Sequence, residues 1–586
     1  LHKPVSSQQA VMDTPSRTTH PARIALTLPP RGWALVALCT LYLLAGLTGH
    51  DPWKNDDAVH FGVVYGFIDG GNWLVPRLVG IPILDTPPLY YWIAALCVKL
   101  LGWLLPLHDA ARLASGLFGA LFLGLLAYAG KLMQQLEYAD RKQDKPAGGE
   151  TGRAAILIAI GCLGLLVPIH DTQPLVALLA ASAAVYAGLL LLPQRALPGG
   201  MLAGLGIGLG FLASGLLALI TLLPVLLILP LNRHWRSASS LRGFVVTFAV
   251  ALPLCLAWPL LLAWQAPDML DLWWATALAG VHYQSHWPGA LANFAELLAW
   301  FTWPALPLAV WALWRNRHRL SQPGILLPLT GTLTALLLLV LFSEPRPLQA
   351  LPLLVPLILL AANSAGLLQR GAANAFDWFG MMTFSIVAGL IWLGGIAMTS
   401  GIPAQIARNF AKLEPGFVAH FSVPAYVCAA LLTLAWCGLI IAGPRSPWRS
   451  ATNWAAGMTL SWALLIALWL PWIDYGKSYR AVAVSLKQAI AENSRQHGGK
   501  SANTGKKSES SCIAGLRLGN AQRVSLQYFA GIVTRRTNSP SSTTCSLLLM
   551  QTSPGNTTVP AGWTKVWEGH RPGDRSEILR LYNLMK

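Results

Sequence analysis

Thirteen apolar stretches, each near the length of a bilayer-crossing helix, constrain this chain more than any other feature. They are Trp33–Leu47, Leu113–Met133, Ala154–Val167, Leu175–Leu192, Met201–Leu212, Leu216–Leu229, Phe244–Trp264, Leu297–Trp314, Ile325–Phe342, Leu348–Leu368, Met381–Met398, Ala425–Ala442 and Trp454–Leu470. About 20 helical residues cross a hydrocarbon core. Charge supports this reading. Only 11% of the 586 residues are charged, under half of the roughly 25% of a soluble domain, too few to coat soluble domains of this total size. Eight cysteines in so long a chain do not make a disulfide scaffold. The sequence predicts a polytopic α-helical membrane protein.

A net charge of +18 raises the question of nucleic acid. No helix-turn-helix, zinc-ligand spacing or aromatic RNA-binding signature accompanies it. The basic residues fall between apolar runs and in a polar tail, so membrane lipids are the expected partner and nucleic acid is not.

Loop charge predicts the orientation. With the N-terminus inside and thirteen crossings, the cytoplasmic loops hold Arg141, Lys142, Lys145 and Arg153, then Arg195, then Arg233, Arg236 and Arg242. Arg315, Arg317 and Arg319 follow, then Arg370, Arg445 and Arg449, while Arg17, Arg23 and Arg31 precede the first helix. Counting the apolar window Leu89–Leu105 as a crossing would move most of these clusters outside, so it is predicted to lie along the membrane surface. The first helix reads as an uncleaved signal-anchor. Three regions result: a cytoplasmic tail over 1–32, a transmembrane domain over 33–473 with long outer loops at His50–Arg112 and Gln265–Glu296, and an outer domain over 474–586. In a bacterium this is an inner-membrane protein with a periplasmic C-terminus.

The tail reads as a small α/β domain. Tyr479, Val482, Leu486 and Ile490 share one face of a predicted helix over Ser478–Ala491. A Gly/Ser/Lys-rich loop, His497–Ser511, separates it from strands at Cys512–Leu516, Cys545–Leu549, Thr564–Trp567 and Ile578–Tyr582 and a helix at Ala521–Ile532. Six cysteines lie in apolar segments. Cys512 and Cys545 lie in the tail, in an oxidising compartment, and are expected to pair.

The chemistry is sought at the outer face. Charged side chains are nearly absent from the predicted spans, whereas an ion-coupled transporter places them near mid-membrane. Acidic residues gather instead at the outer helix ends: Asp51, Asp56, Asp57, Asp85 and Asp171. An Asp pair before a helix also serves as an N-cap with a favourable dipole interaction, and the residue types alone leave both roles open. Trp273, Trp274 and Trp287 are read as an interfacial aromatic belt, with a role gripping the lipid as the second choice. The glycines over Gly204–Gly210 are read as close helix packing rather than a phosphate cradle. His282 and His286, four apart beside Tyr283, would share a helical face as metal ligands do; anchoring of the loop at the headgroups is the alternative.

The first loop resembles that of the GT-C glycosyltransferases that use polyprenyl-phosphate-linked sugars, in particular the lipid A aminoarabinose transferases and protein mannosyltransferases. Asp56-Asp57, Gly71-Asn72-Trp73 and Asp85-Thr86-Pro87-Pro88, followed by Tyr90-Tyr91-Trp92, stand where that family has an acidic pair, a Gly-Asp/Asn-Trp element and Glu-Lys-Pro-Pro before Tyr-Trp. Asp171, in His170-Asp171-Thr172, resembles a second outer-loop Asp. Arg346 and Leu351-Pro352-Leu353-Leu354 resemble later elements. Three positions depart: Thr86 and Ser214 replace lysines, and Gln349 replaces a tyrosine.

The resemblance implies a GT-C fold and sugar transfer from a polyprenyl-phosphate-linked donor to an envelope acceptor, either lipid A or another glycolipid, or a protein hydroxyl. Asp56 would be the general base of an inverting displacement, with Asp57 and Asp171 positioning the acceptor, tuning Asp56 or sharing its role. Lys54, Arg77, Asp85, Thr86, Tyr90, Tyr91 and Arg346 would line the substrate site. Lys54, Arg77 and Arg346 are the cations that would compensate the missing lysines. Asp85 with His282 or His286 would hold a divalent metal near the donor phosphate. The rival readings are a lipid or glycan transporter and a non-catalytic envelope scaffold.

Overall fold

The computed structural model describes residues 32–54, 56–141, 149–364, 368–443, 448–498, 512–556 and 558–585. Arg17, Arg23, Arg31, Asn55, Lys142, Lys145, Arg445 and the predicted loop beyond residue 498 lie outside these. Eight helices among the described residues are long and apolar enough to cross a membrane, and a sharply bent pair would make a ninth span. The protein is multi-pass. Shorter apolar helices at Trp33–Leu44, Leu89–Leu101, Leu175–Leu191 and Leu216–Leu231 complete the apolar set.

The predicted stretches carry these helices, with two corrections. Ala154–Val167 is helical only as far as Gly161: Cys162 is extended and Leu163–Leu165 form a separate 3-10 turn. Leu297–Trp314 is not a single span: Trp287–Phe301 and Ala305–Arg315 meet at 101°. Pro304, between them, has no N–H to continue the first helix. The single apolar run around Ala213-Ser214-Gly215 divides where Gly215 takes φ 62°, ending Ala196–Ser214 and starting Leu216–Ile228. A Cβ at Gly204 would lie 2.6 Å from Thr247 O, and one at Gly206 would lie 2.7 Å from Ala181 O. These glycines let neighbouring helices approach to backbone contact.

The first loop is itself folded. Asp56–Ile68 and Leu89–Leu101 are helices, and between them β1 (Arg77–Leu78) and β2 (Ile81–Pro82) form a hairpin. Its two-residue turn, Val79 and Gly80, has positive φ at both positions, as a type I′ turn requires. Phe61, Val64, Phe67, Tyr90, Tyr91 and Val98 form a buried cluster here.

The C-terminal domain has a five-stranded sheet in the order β4-β3-β5-β7-β6. Its strands are β3 (Ile513–Leu516), β4 (Thr534–Thr537), β5 (Leu547–Thr552), β6 (Trp563–Arg571) and β7 (Asp574–Leu584). Parallel pairs join β3 to β4 and β5, and antiparallel pairs join β7 to β5 and β6. The helices Arg480–Gly498 and Asn520–Ala530 pack Val482, Leu486 and Leu526 on Leu547, Leu549, Leu579 and Leu581. Cys512 and Cys545 are disulfide-bonded, with Cα atoms 5.0 Å apart. The sequence reading had no strand at β4, because its Thr-Arg-Arg-Thr sequence carries no apolar alternation; it is an edge strand with both arginines exposed.

Two contacts seat this domain on the membrane domain. Val524 joins the first-loop cluster, where any Cβ on Gly62 would collide with it. Tyr528 stands edge-on to Phe61 and Tyr65, at centroid distances of 4.9 and 5.5 Å. Separately, the β6–β7 turn reaches the end of the helix Arg449–Lys477, where a Cβ on Gly573 would lie 2.9 Å from Gly476 O.

Candidate active site

The helix Asp56–Ile68 opens on two carboxylates in its first turn, where the dipole favours negative charge. They have opposite environments. Asp57 is 2% exposed. Its Oδ1 accepts from Arg112 Nε (3.2 Å) and Thr172 N (2.9 Å), and its Oδ2 from Arg112 Nη2 (2.7 Å) and Trp53 N (3.2 Å). Asp56 is exposed and lines a large cavity.

Arg112 is fully buried and uses all of its donors. Besides Asp57, Nη1 donates to His50 O (2.8 Å) and Asp109 Oδ1 (3.0 Å), and Nη2 to Asp51 O (2.9 Å). A guanidinium has five N–H groups, and all five have acceptors here. Burial disfavours the charge on Asp57, but the charge and hydrogen bonds of Arg112 outweigh it and hold the carboxyl well below the usual carboxylate range. The start of the loop is fastened in turn to the chain after the last long helix. Asp51 accepts from Ser478 Oγ (2.6 Å) and Arg480, while Asp51 N and Trp53 Nε1 both donate to Asp474 Oδ1 (2.9 and 2.8 Å).

Asp171 lines the same cavity as Asp56. Its segment is fixed by the bond from Thr172 N to Asp57 and by Ser115 Oγ, which donates to Asp171 O (2.5 Å). Burial, with Asp57 nearby, pushes the Asp171 carboxyl up to about 8. The site therefore holds one fixed carboxylate, one exposed carboxyl and one carboxyl that burial holds in its protonated form well above the usual carboxylate range. Environments that separate the titrations of neighbouring acids divide their roles.

The cavity is about 1140 Å³ in volume. Lys54, Asp56, His60, Asp85, Thr86, Asp171, Lys477 and Arg571 contribute its polar wall, and Leu163, Val167, Leu216, Trp273, Trp300 and Phe301 much of its apolar wall. Pockets for extended apolar ligands with a polar head combine these surfaces.

No family model matches the chain. It is 28% identical over 447 residues to the undecaprenyl phosphate-alpha-4-amino-4-deoxy-L-arabinose arabinosyl transferase of Pseudomonas paraeruginosa, covering 74% of this chain and 75% of the relative. The enzyme of the same name from Edwardsiella ictaluri is 26% identical over 466 residues, with 75% and 77% covered. The crystal structure of ArnT from Cupriavidus metallidurans bound to undecaprenyl phosphate superposes with a TM-score of 0.64 at 16% identity, covering 94% of this chain and 97% of that one. The chain shares the fold of that structure, as the GT-C resemblance of its first loop implied.

Within this fold, Lys54, Asp56, Asp57, Asp85, Thr86, Asp171 and Arg346 all line the cavity, as do the two other departing positions, Ser214 and Gln349. Four expectations are corrected. Arg77 does not line the cavity; it sits in the hairpin, where its Nη1 donates to Gly80 O (3.2 Å). Tyr90 and Tyr91 are buried behind the wall: Tyr90 Oη bonds Ser115 Oγ (2.6 Å) and Tyr91 Oη bonds His60 Nδ1 (2.8 Å). Trp273 is only 3% exposed, packed edge-on to Trp258 at 5.4 Å, so it belongs to the cavity wall rather than to an aromatic belt.

The fourth concerns metal. His282 and His286 are exposed on a non-helical segment, and neither lines the cavity. Gln284 N, between them, donates to Leu341 O (2.8 Å), which ties this segment to the end of another helix and prevents the shared helical face. With Asp85 they form no cluster, and no group of three metal-capable side chains occurs among the described residues.

Four contributors escaped the sequence reading. His60 lines the cavity one turn after Asp56, and the i, i+4 spacing was the available signal. Burial holds its imidazole below the ordinary histidine range. Arg112 carried a weaker signal, an arginine at the mouth of an apolar helix three residues after Asp109. Arg571 and Lys477 gave none, since only the fold brings the C-terminal domain to this cavity.

Proposed function

We propose that this protein is a glycosyltransferase that moves a sugar from an undecaprenyl-phosphate-linked donor to a hydroxyl of an envelope glycolipid, at the outer face of the inner membrane. Asp56 takes the proton from the acceptor hydroxyl. The freed oxygen forms a bond to the anomeric carbon from the face opposite the phosphate, the carbon–oxygen bond to phosphate breaks, and polyprenyl phosphate leaves with the electron pair. Configuration at the anomeric carbon inverts. Asp171, which burial holds in its protonated form, donates a hydrogen bond that orients a substrate oxygen, and Asp57 positions both through the Trp53 and Thr172 amides. Cations near the departing phosphate stabilise its developing charge.

The observation that carries this reading is the division within one cavity: an exposed carboxyl at Asp56, beside a buried Asp57 whose bonding capacity is spent. The names of the relatives and the apolar wall support the donor class. The loop-charge pattern of the sequence, which favours thirteen crossings with the C-terminal domain outside, supports a cavity at the periplasmic face.

Mass spectrometry of envelope glycolipids tests the reading in a deletion strain complemented with wild type or with Asp56→Asn. The expected result is that the deletion and the variant lose the same glycan and accumulate the same lipid-linked sugar. Restoration of the wild-type profile by Asp56→Asn would remove Asp56 as the base.

A further inference from the structure

Four cationic side chains line the cavity: Lys54, Arg346, Lys477 and Arg571. Three already have carboxylate partners. Lys54 Nζ lies 2.6 Å from Glu577 Oε2, Arg571 Nη2 lies 2.9 Å from Asp574 Oδ2, and Arg346 Nη2 lies 2.5 Å from Glu344 Oε2. A cation so paired has much of its field cancelled before any substrate arrives.

Lys477 is different. It has no carboxylate within ion-pair distance among the described residues, and its Nζ stands 4.5 Å from the centroid of the Trp53 ring. An indole face attracts an ammonium but carries no net charge to cancel it. Both neighbours hold the lysine in place. The Trp53 ring is fixed by the bond from Nε1 to Asp474, and the Lys477 carbonyl accepts from Arg571 Nη1 (3.4 Å). Its place in the last turn of the helix Arg449–Lys477 also suits a cation. The Lys477 side chain is exposed to the cavity that contains Asp56 and Asp171. At the same seam, the Nε of the buried Arg571 has no hydrogen-bond partner among the described residues. An ammonium with no salt-bridge partner among the described residues, held on a rigid platform with a partnerless guanidinium nitrogen beside it, is a site for an anion.

We propose that Lys477 contacts the phosphate of a lipid substrate, supplying in this chain the positive charge that Thr86 and Ser214 do not. The assignment rests on the transferase reading above. That phosphate belongs either to the donor or to a phosphorylated glycolipid acceptor, and both present the same oxyanion to the ammonium.

The test uses the full-length protein purified in detergent, as wild type, Lys477→Gln and Lys477→Arg, with thermal unfolding as the folding control. Undecaprenyl phosphate is the binding probe, and sugar transfer is measured while donor and acceptor are varied separately. A charge-assisted hydrogen bond of ordinary strength corresponds to about tenfold or more. Lys477→Gln is expected to weaken probe binding and raise the donor KM by that factor, while kcat at saturation changes much less. Lys477→Arg is expected to restore most of the loss. A rise confined to the acceptor KM assigns the phosphate to the acceptor and still supports the contact. Unchanged probe affinity and unchanged KM for both substrates in Lys477→Gln would overturn it. A wild-type protein that neither binds the probe nor transfers sugar would overturn the transferase reading, and this assignment with it.

Discussion

The two long loops of this protein both carry residues that looked chemical, and they are built in opposite ways. The loop from His50 to Arg112 closes on a fully buried arginine whose five donors are all bonded, two of them to Asp57. The segment holding His282 and His286 leaves both histidines exposed and takes a backbone bond from Gln284 to Leu341. A residue becomes available for chemistry when its neighbours are fixed, and a buried ion pair with several hydrogen bonds fixes them far better than one backbone hydrogen bond. The first loop is preorganised by buried charge; the second is held by one backbone hydrogen bond and the edge contact of Tyr283 with Phe342.

Breaking the first loop should have the largest effect. Arg112→Met leaves Asp57 buried without its cation, and removing one partner of a buried ion pair costs about 3–5 kcal/mol. The expected result is a large loss of stability in chemical denaturation, with part of it recovered in the Arg112→Met, Asp57→Asn double variant. An additive double variant would show that the pair is not coupled.

Acidity sharpens the comparison. The folded pKa of Asp57 is depressed, so its contribution is present above the ordinary carboxylate value and is lost as pH falls below about 4. Asp171 has the opposite sign. With a folded pKa near 8 against 3.8, its contribution is full below about pH 4 and is lost as pH rises through about 8. Melting temperatures at intervals from pH 4 to 8 should therefore depend less on pH in Asp171→Asn than in wild type. Parallel curves would contradict the placement of Asp171.

The smallest effects belong to the second loop. His282→Ala and His286→Ala each alter an exposed side chain outside the cavity, and such changes are usually within about 0.5 kcal/mol. Initial transfer rates are expected to stay within about twofold of wild type. A loss of a hundredfold in either variant would bring that loop into the site.

The same contrast explains how much was legible in the sequence. Apolar length gave the helices, because membrane burial acts on every residue of a span. Local signals gave Asp56, Asp171 and the first-loop elements, whose residues are close in sequence. The separation of Asp56 from Asp57 was not legible, because it depends on Arg112 and Thr172, which lie 55 and 115 positions further along the chain. Nor was the break at Pro304, hidden inside an apolar run, or the polar edge strand β4. The cavity role of Arg571 depends on the β6–β7 turn reaching the last long helix. No periodicity announces a contact of that kind.

The central claim is that Asp56 does the chemistry while Asp57 holds it in place. Single-turnover transfer by purified Asp56→Asn and Asp57→Asn, each with its melting temperature, tests it most directly. Asp56→Asn should keep the wild-type melting temperature and donor affinity while losing transfer. Asp57→Asn should melt well below wild type. An Asp56→Asn enzyme with normal transfer, or an Asp57→Asn enzyme as stable as wild type but inactive, would contradict that division.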